Sequence, residues 1–272
     1  MRRKLKIYLP FIGAGMQETA TYRVNWIFYI LGSVTGCFVS YFIWKAVFAS
    51  GGGGAMNGFT MPQMTVYIFL MFVTSMIVGS DASYVVGEEV RDGTIAMRLL
   101  KPVSYNATFL FQELGNKLLT EAVLLVPLLI VLEIVRTALT GSVQFNPLCL
   151  LLYLLSCVLG YLINFFFSIC FGFVAFIIKY LWGANMMKNV IVGFLSGATV
   201  PLAFLPPALE KVFLMLPFAS LGYTPVMIYM NMYGGAELLY FLGLQVFWAA
   251  AFWGLSKLLW RVCVRRLSVQ GG

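Results

Sequence analysis

Apolar residues in this chain gather into long runs separated by short polar, glycine-rich or proline-rich punctuation. About 20 apolar residues in a helix cross the hydrocarbon core of a bilayer, so each run predicts a membrane-spanning helix. The runs cover residues 24–49, 62–86, 118–139, 147–178, 189–205 and 236–260, which predicts six spans. The first ends at the Gly51–Gly54 tetraglycine, which continues a helix only at a cost in backbone entropy. Residues 147–178 would form a helix of about 48 Å. That run must therefore tilt and protrude from the bilayer, or break near Gly160 or Asn164.

Two segments do not fit the run pattern. Residues 1–22 open on a basic cluster and continue through Leu5, Ile7, Leu9, Phe11 and Ile12. Pro10, Gly13 and Gly15 interrupt the apolar stretch, so it reads as an uncleaved interfacial helix rather than a signal peptide. Between the fifth and sixth spans, Pro201, Pro206, Pro207, Pro217 and Pro225 fall within 25 residues and exclude a continuous helix. The residues between them are too apolar for a solvated loop. A pair of short helices re-entering the outer leaflet satisfies both constraints, because protein then buries the irregular backbone. The predicted fold class is thus an all-α membrane protein: an N-terminal interfacial helix over 1–22 and a transmembrane domain over 23–272.

Composition agrees with the pattern. Hydrophobic residues make up 61% of the 272 and charged residues 10%, where a soluble domain carries about 25% charged. So few charges cannot cover a water-exposed surface, and an aqueous enzyme domain is excluded. Histidine is absent, which removes the commonest general base and zinc ligand and any histidine-activated nucleophile. No catalytic or metal site is expected, and the chain is read as no enzyme. The five cysteines lie in or beside apolar runs without a Cys-x-x-Cys pair and read as small buried hydrophobes.

The net charge of +8 is explained by its distribution. With the N-terminus inside, Lys45, Arg136 and Lys211 are the only outside cations, leaving 15 of the 18 on the cytoplasmic side. That asymmetry obeys the positive-inside rule and places both termini in the cytoplasm of a multi-pass protein of the plasma (cytoplasmic) membrane. The basic excess reads as orientation and attraction to anionic membrane lipid, with no nucleic-acid partner.

The longest charged stretch, residues 87–102, joins spans two and three on the cytoplasmic side. Ile95, Leu99 and Leu100 recur at helical spacing and Pro102 marks a stop, so the stretch predicts a short amphipathic coupling helix over Asp92–Leu100. Asp92 or Thr94 is placed to cap it. A solvated loop of mixed charge is the plainer alternative. Within the spans, Asp81 and Glu121 read as interfacial carboxylates, or as a cluster with Arg98 or Lys117. Asn25, Ser40, Thr74, Ser75, Asn164 and Ser168 either line a path or bond helix to helix. Gly32-x-x-x-Gly36 and Gly193-x-x-x-Gly197 permit close helix approach, within the chain or across a dimer.

Glu88-x-x-Arg91-Asp92-Gly93-Thr94, followed by Leu99-Leu100-Lys101-Pro102-Val103, resembles the cytoplasmic loop of ABC-2 type exporter permeases. Leu195-Ser196-Gly197-Ala198-x-x-Pro201-Leu202-x-x-Leu205-Pro206, with Leu216-Pro217 downstream, resembles the stretch after the fifth span in the same families. The opening, Tyr22-Arg23-Val24-Asn25 with Phe42-x-Trp44-Lys45-Ala46-Val47-Phe48, is similar to a branch of about 260-residue ABC-2 permeases.

The resemblance implies the transmembrane subunit of an ATP-driven exporter. Its N-terminal helix and first cytoplasmic loop would contact a cytoplasmic ABC ATPase present in two copies. A second permease, identical or different, would complete the pathway. It also implies a coupling role for Glu88, Glu89, Arg91, Asp92, Thr94, Ile95, Arg98 and Leu99, with the charges pairing with the partner and the apolar stripe seated in its groove. Gly197, Pro201, Pro206 and Pro217 would form a re-entrant extracellular gate. The dipeptide Gly-Lys never occurs, so no Walker A loop is present; ATP–Mg would sit on the partner, and this chain would bind no cofactor. An ion-coupled secondary transporter and a non-transporting scaffold or sensor are the competing readings. The aromatic, charge-poor spans suit a lipophilic or amphipathic cargo.

Overall fold

The computed structural model describes residues 6–99, 103–141, 146–178 and 180–265. Among these, all regular structure is helical. The helices are α1 (Leu9–Thr21), α2 (Arg23–Ser50), α3 (Met61–Val78), α4 (Ala82–Arg91), α5 (Ile95–Leu99) and α6 (Tyr105–Thr140). They continue with α7 (Pro147–Gly172), α8 (Trp182–Leu195), α9 (Pro207–Met215), α10 (Tyr223–Tyr229) and α11 (Gly235–Arg265). Five helical stretches are long and apolar enough to cross a membrane: 27–50, 61–91, 105–138, 147–176 and 235–263.

α3 is the central helix, with Met64 and Leu70 at 0% exposure. It packs on α2, α6, α7 and α10. A capping box starts it: the Thr60 amide donates to Gln63 Oε1 at 2.9 Å and the Gln63 amide donates to Thr60 Oγ1 at 3.5 Å. The predicted second span does not continue unbroken to residue 86. It stops at Val78, turns through Gly79, Ser80 and Asp81, and resumes as α4. Neighbouring side chains satisfy the carbonyls freed by the break. Lys117 Nζ donates to the Met76 carbonyl at 2.9 Å, and Asn164 Nδ2 donates to that of Val78 at 2.9 Å.

Other boundaries move for identifiable reasons. α6 begins at Tyr105 rather than residue 118, because its polar first turns meet α1 and the Gly79–Asp81 turn rather than water. α7 runs without a break past Gly160 and Asn164 and tightens into a 3₁₀ turn only at Phe173–Phe176. The expected fifth span at 189–205 is instead the 14-residue α8, which ends before Gly197 turns the chain at φ +81°. Arg91 lies 6.0 Å over the Tyr180 ring, and Asn57 donates to the Ala203 carbonyl at 3.2 Å. Residues 180–203 therefore run from one end of the bundle to the other without one long helix.

α1 crosses the start of α6 at two glycines. A Cβ on Gly15 would meet the Gln112 carbonyl, and a Cβ on Gly115 would meet the Ile12 carbonyl. By contrast, Gly32 and Gly36 have nothing within 4 Å, so they support no close packing among the described residues. Among the described residues no cysteine forms a disulfide, and Cys149, Cys157 and Cys170 are buried.

Candidate functional site

The charged stretch folds as a helix, a tight turn and a single helical turn. α4 ends at Arg91, Gly93 takes φ +72°, and α5 spans five residues. A left-handed residue here is what glycine permits at least cost. Thr94 donates its hydroxyl to the Glu89 carbonyl at 3.5 Å and so closes the end of α4. Asp92 spends its carboxylate on Arg91 at 2.8 Å. Neither side chain is seen capping α5, contrary to the sequence expectation.

Seven of the eight predicted coupling residues divide into two groups. Glu89 and Arg98 face inward and pair at 2.5 Å, with side chains 14% and 22% exposed. Arg98 also donates to Thr108 at 3.4 Å and lies 4.1 Å over the Phe109 ring, and Tyr105 donates to Glu89 at 3.5 Å. Ile95 is 1% exposed and belongs to a core with Val86, Tyr105, Phe109, Phe165 and Phe173. These three residues fasten the turn to α6 and α7, so Ile95 is already seated in this chain and not free to fill a partner's groove. Glu88, Arg91, Asp92 and Thr94 point outward. The side chain of Leu99, and Leu100, Lys101 and Pro102, lie outside the described residues. The exposed Arg91–Asp92 pair holds the Asp92 carboxyl below its ordinary range, though such a pair adds little stability. Met97, 64% exposed, is a further outward residue. Sequence reading passed over it, although the inward stripe at Ile95 already placed position 97 on the opposite face.

Two more elements, α1 with the residues before it and α11, converge on this end. The Ser104 amide donates to Tyr8 Oη at 3.1 Å, Tyr8 stacks on Phe111 with ring centroids 5.2 Å apart, and Gln112 donates to Glu18 at 3.1 Å. From α11, Trp260 stacks on Tyr105 at 4.0 Å and Ser256 accepts from Asn106 at 3.0 Å. Both described ends of the chain thus lie beside the charged turn.

At the opposite end, the proline-rich segment folds as short pieces. Tyr67 Oη donates to the Gly197 carbonyl at 2.8 Å and the Tyr223 amide donates to that of Ser196 at 2.9 Å. Pro201 precedes a 3₁₀ turn at Leu202–Phe204, Pro206 precedes α9, and Pro217 separates α9 from α10. No residue of α9 is buried, whereas all seven of α10 are.

The intramembrane polar residues also resolve. Thr74 bonds Tyr153 at 3.0 Å and Asn164 caps α3, so both join helices. Ser156 and Gln245, which sequence reading passed over, bond at 3.0 Å. Two lysines assigned to the cytoplasmic charge count sit inside the bundle. Lys117 caps α3, and Lys188, 7% exposed, donates to Ser83 at 2.7 Å.

A bundle whose described residues are all helical, with a braced charged turn at the end where Tyr8 and Trp260 pack, defines a multi-pass membrane protein. The family model described as ABC-2 family transporter protein matches residues 34–271, and the chain belongs to that family. It is accordingly a permease of an ABC-type transporter, a class that associates with an ABC ATPase. Among curated proteins, none matches the chain.

Proposed function

We propose that this chain is the permease subunit of an ATP-driven exporter in the plasma membrane. It crosses the bilayer six times, with α8 and the turns to Ala203 making the fifth crossing and both termini cytoplasmic. Two copies of a separate cytoplasmic ATPase bind ATP–Mg, and a second permease, the same chain or a different one, completes the pathway. The chain itself catalyses nothing and binds no nucleotide.

The observation that carries this reading is the division of labour at the charged turn. Glu89, Ile95 and Arg98 brace it against α6 and α7, while Glu88, Arg91, Asp92, Thr94 and Met97 are presented outward. Force applied to a braced projection passes into the bundle, whereas a solvated loop would absorb it. The proline-rich segment, with its gate residues Gly197, Pro201, Pro206 and Pro217, would close the extracellular end.

The test is affinity purification of the tagged chain from detergent-solubilised native membranes, with mass spectrometry of the copurifying proteins. A Walker-motif ATPase is expected, and a second permease chain would distinguish heterodimer from homodimer. In the reconstituted complex, Glu88→Lys with Asp92→Lys should cut ATPase stimulation several-fold while the melting temperature stays unchanged. Recovery of the chain without any ATPase, or undiminished stimulation in that variant, overturns the proposal.

A further inference from the structure

A groove of about 670 Å³ opens between α1, α2, α3, α4 and α6, along the break in the central helix. Its volume lies within the ordinary range for small-molecule sites. Its two halves differ in chemistry. Val73, Leu125 and Leu128 line the deep half, while the half nearest the charged end holds Glu18, Asp81, Glu113 and Glu121 against one ammonium, Lys117. In a chain with a net charge of +8, four carboxyl groups around one opening run against the overall balance.

The lysine does not neutralise them. Lys117 donates to the Met76 carbonyl at 2.9 Å, reaches Glu121 at 3.5 Å and lies 5.2 Å from the Tyr161 ring. Glu113 accepts from Ser80 at 3.1 Å and from the Asp81 amide, which fixes it at the break. The exposed Asp81 carboxylate has no cationic partner within 4 Å among the described residues. Asn116 also lines the groove, with its Oδ1 turned against Gly15 of α1 and shut off from solvent. A carboxylate without a cation, in an opening that three further carboxyl groups share, calls for a ligand that brings positive charge. Tyr29, also in the lining, adds an aromatic face.

We infer that this groove binds amphipathic organic cations, with the charged head between Asp81 and Glu113 and the apolar body along α3 and the middle of α6. The phosphate of a zwitterionic lipid headgroup would meet the same carboxyl groups and be repelled. Treating the bound cation as cargo rests on the permease reading above; the binding itself does not.

The experiment uses two ions of nearly equal size and lipophilicity and opposite charge, tetraphenylphosphonium and tetraphenylborate, titrated into the full chain in nanodiscs. Saturable one-site binding of the cation is expected, with only linear partitioning of the anion. Asp81→Asn should weaken the cation about tenfold, the scale of one charge contact in a partly dry site. Because the Asp81 side chain has no hydrogen-bond or ion-pair partner among the described residues, that variant should melt with the parent protein. Glu113→Gln is the second variant, read for affinity relative to its own folded fraction. Saturable binding of both ions, partitioning of both, or parental affinity in both variants overturns the inference. No ATPase is needed, so a failed purification of partners beside intact cation binding would count against the permease proposal alone.

Discussion

The stretches 27–50 and 61–91 have the same mean hydropathy, 1.7, yet the first has 0% of its most apolar window buried in the protein and the second 67%. Hydropathy reports whether a helix enters a bilayer, and lipid tails serve an apolar side chain about as well as a protein core does. Thr65 and Ser75 of α3 bond within their own helix, but other hydroxyls of the two helices part ways. On α2, Ser33 and Thr35 donate back to Tyr29 and Leu31 of their own helix and need no neighbour. On α3, Tyr67 reaches Gly197 and Thr74 meets Tyr153. Each of those bonds draws another element against the helix.

Truncation should break the equivalence most sharply. Leu70→Ala, at a fully buried position, is expected to cost about 2–5 kcal/mol. Phe28→Ala, at a position 69% exposed, should stay within about 0.5 kcal/mol. Thermal unfolding in one detergent reads both, and equal losses would dissolve the distinction. Next in size is Lys117→Met, which strands the Met76 carbonyl and removes one tie between α6 and the central helix. A loss of about 1–3 kcal/mol is expected for the unsatisfied group, and none would show that the carbonyl finds another donor. Smallest is Thr60→Ala, which removes the side-chain half of the capping box that only α3 among these two helices possesses. About 1 kcal/mol should go, measured as increased hydrogen exchange of the first turn of α3.

Much of this architecture could be read in the sequence. The apolar runs located α2, α7 and α11 closely, and the proline spacing called for short helices where α9 and α10 lie. The start of α6 was hidden because Asn106, Gln112, Glu113, Asn116 and Lys117 dilute its hydropathy, and their partners come from distant segments. Gly79-Ser80-Asp81 signals a break by its residue types, but apolar turns on both sides outweigh it in any run-based reading. At the charged turn, the sequence did not show which of the charged side chains face inward. Glu89 meets Arg98 across a reversal of the chain, nine residues away, a spacing no helical periodicity exposes.

The crossing of α1 over α6 also bears on the order in which the protein is made. Tyr8 and Ser104 are separated by 96 residues, and synthesis adds about 5–20 residues per second. α1 therefore exists for roughly 5–20 s before its binding site on α6 has been made. During that interval α2, α3 and α4 are already made, and α1 has neither Gly115 nor Phe111 to hold it. Membrane insertion of this chain thus includes a deferred clasp: α1 is made before α2, α3 and α4 but locks only once the start of α6 is made.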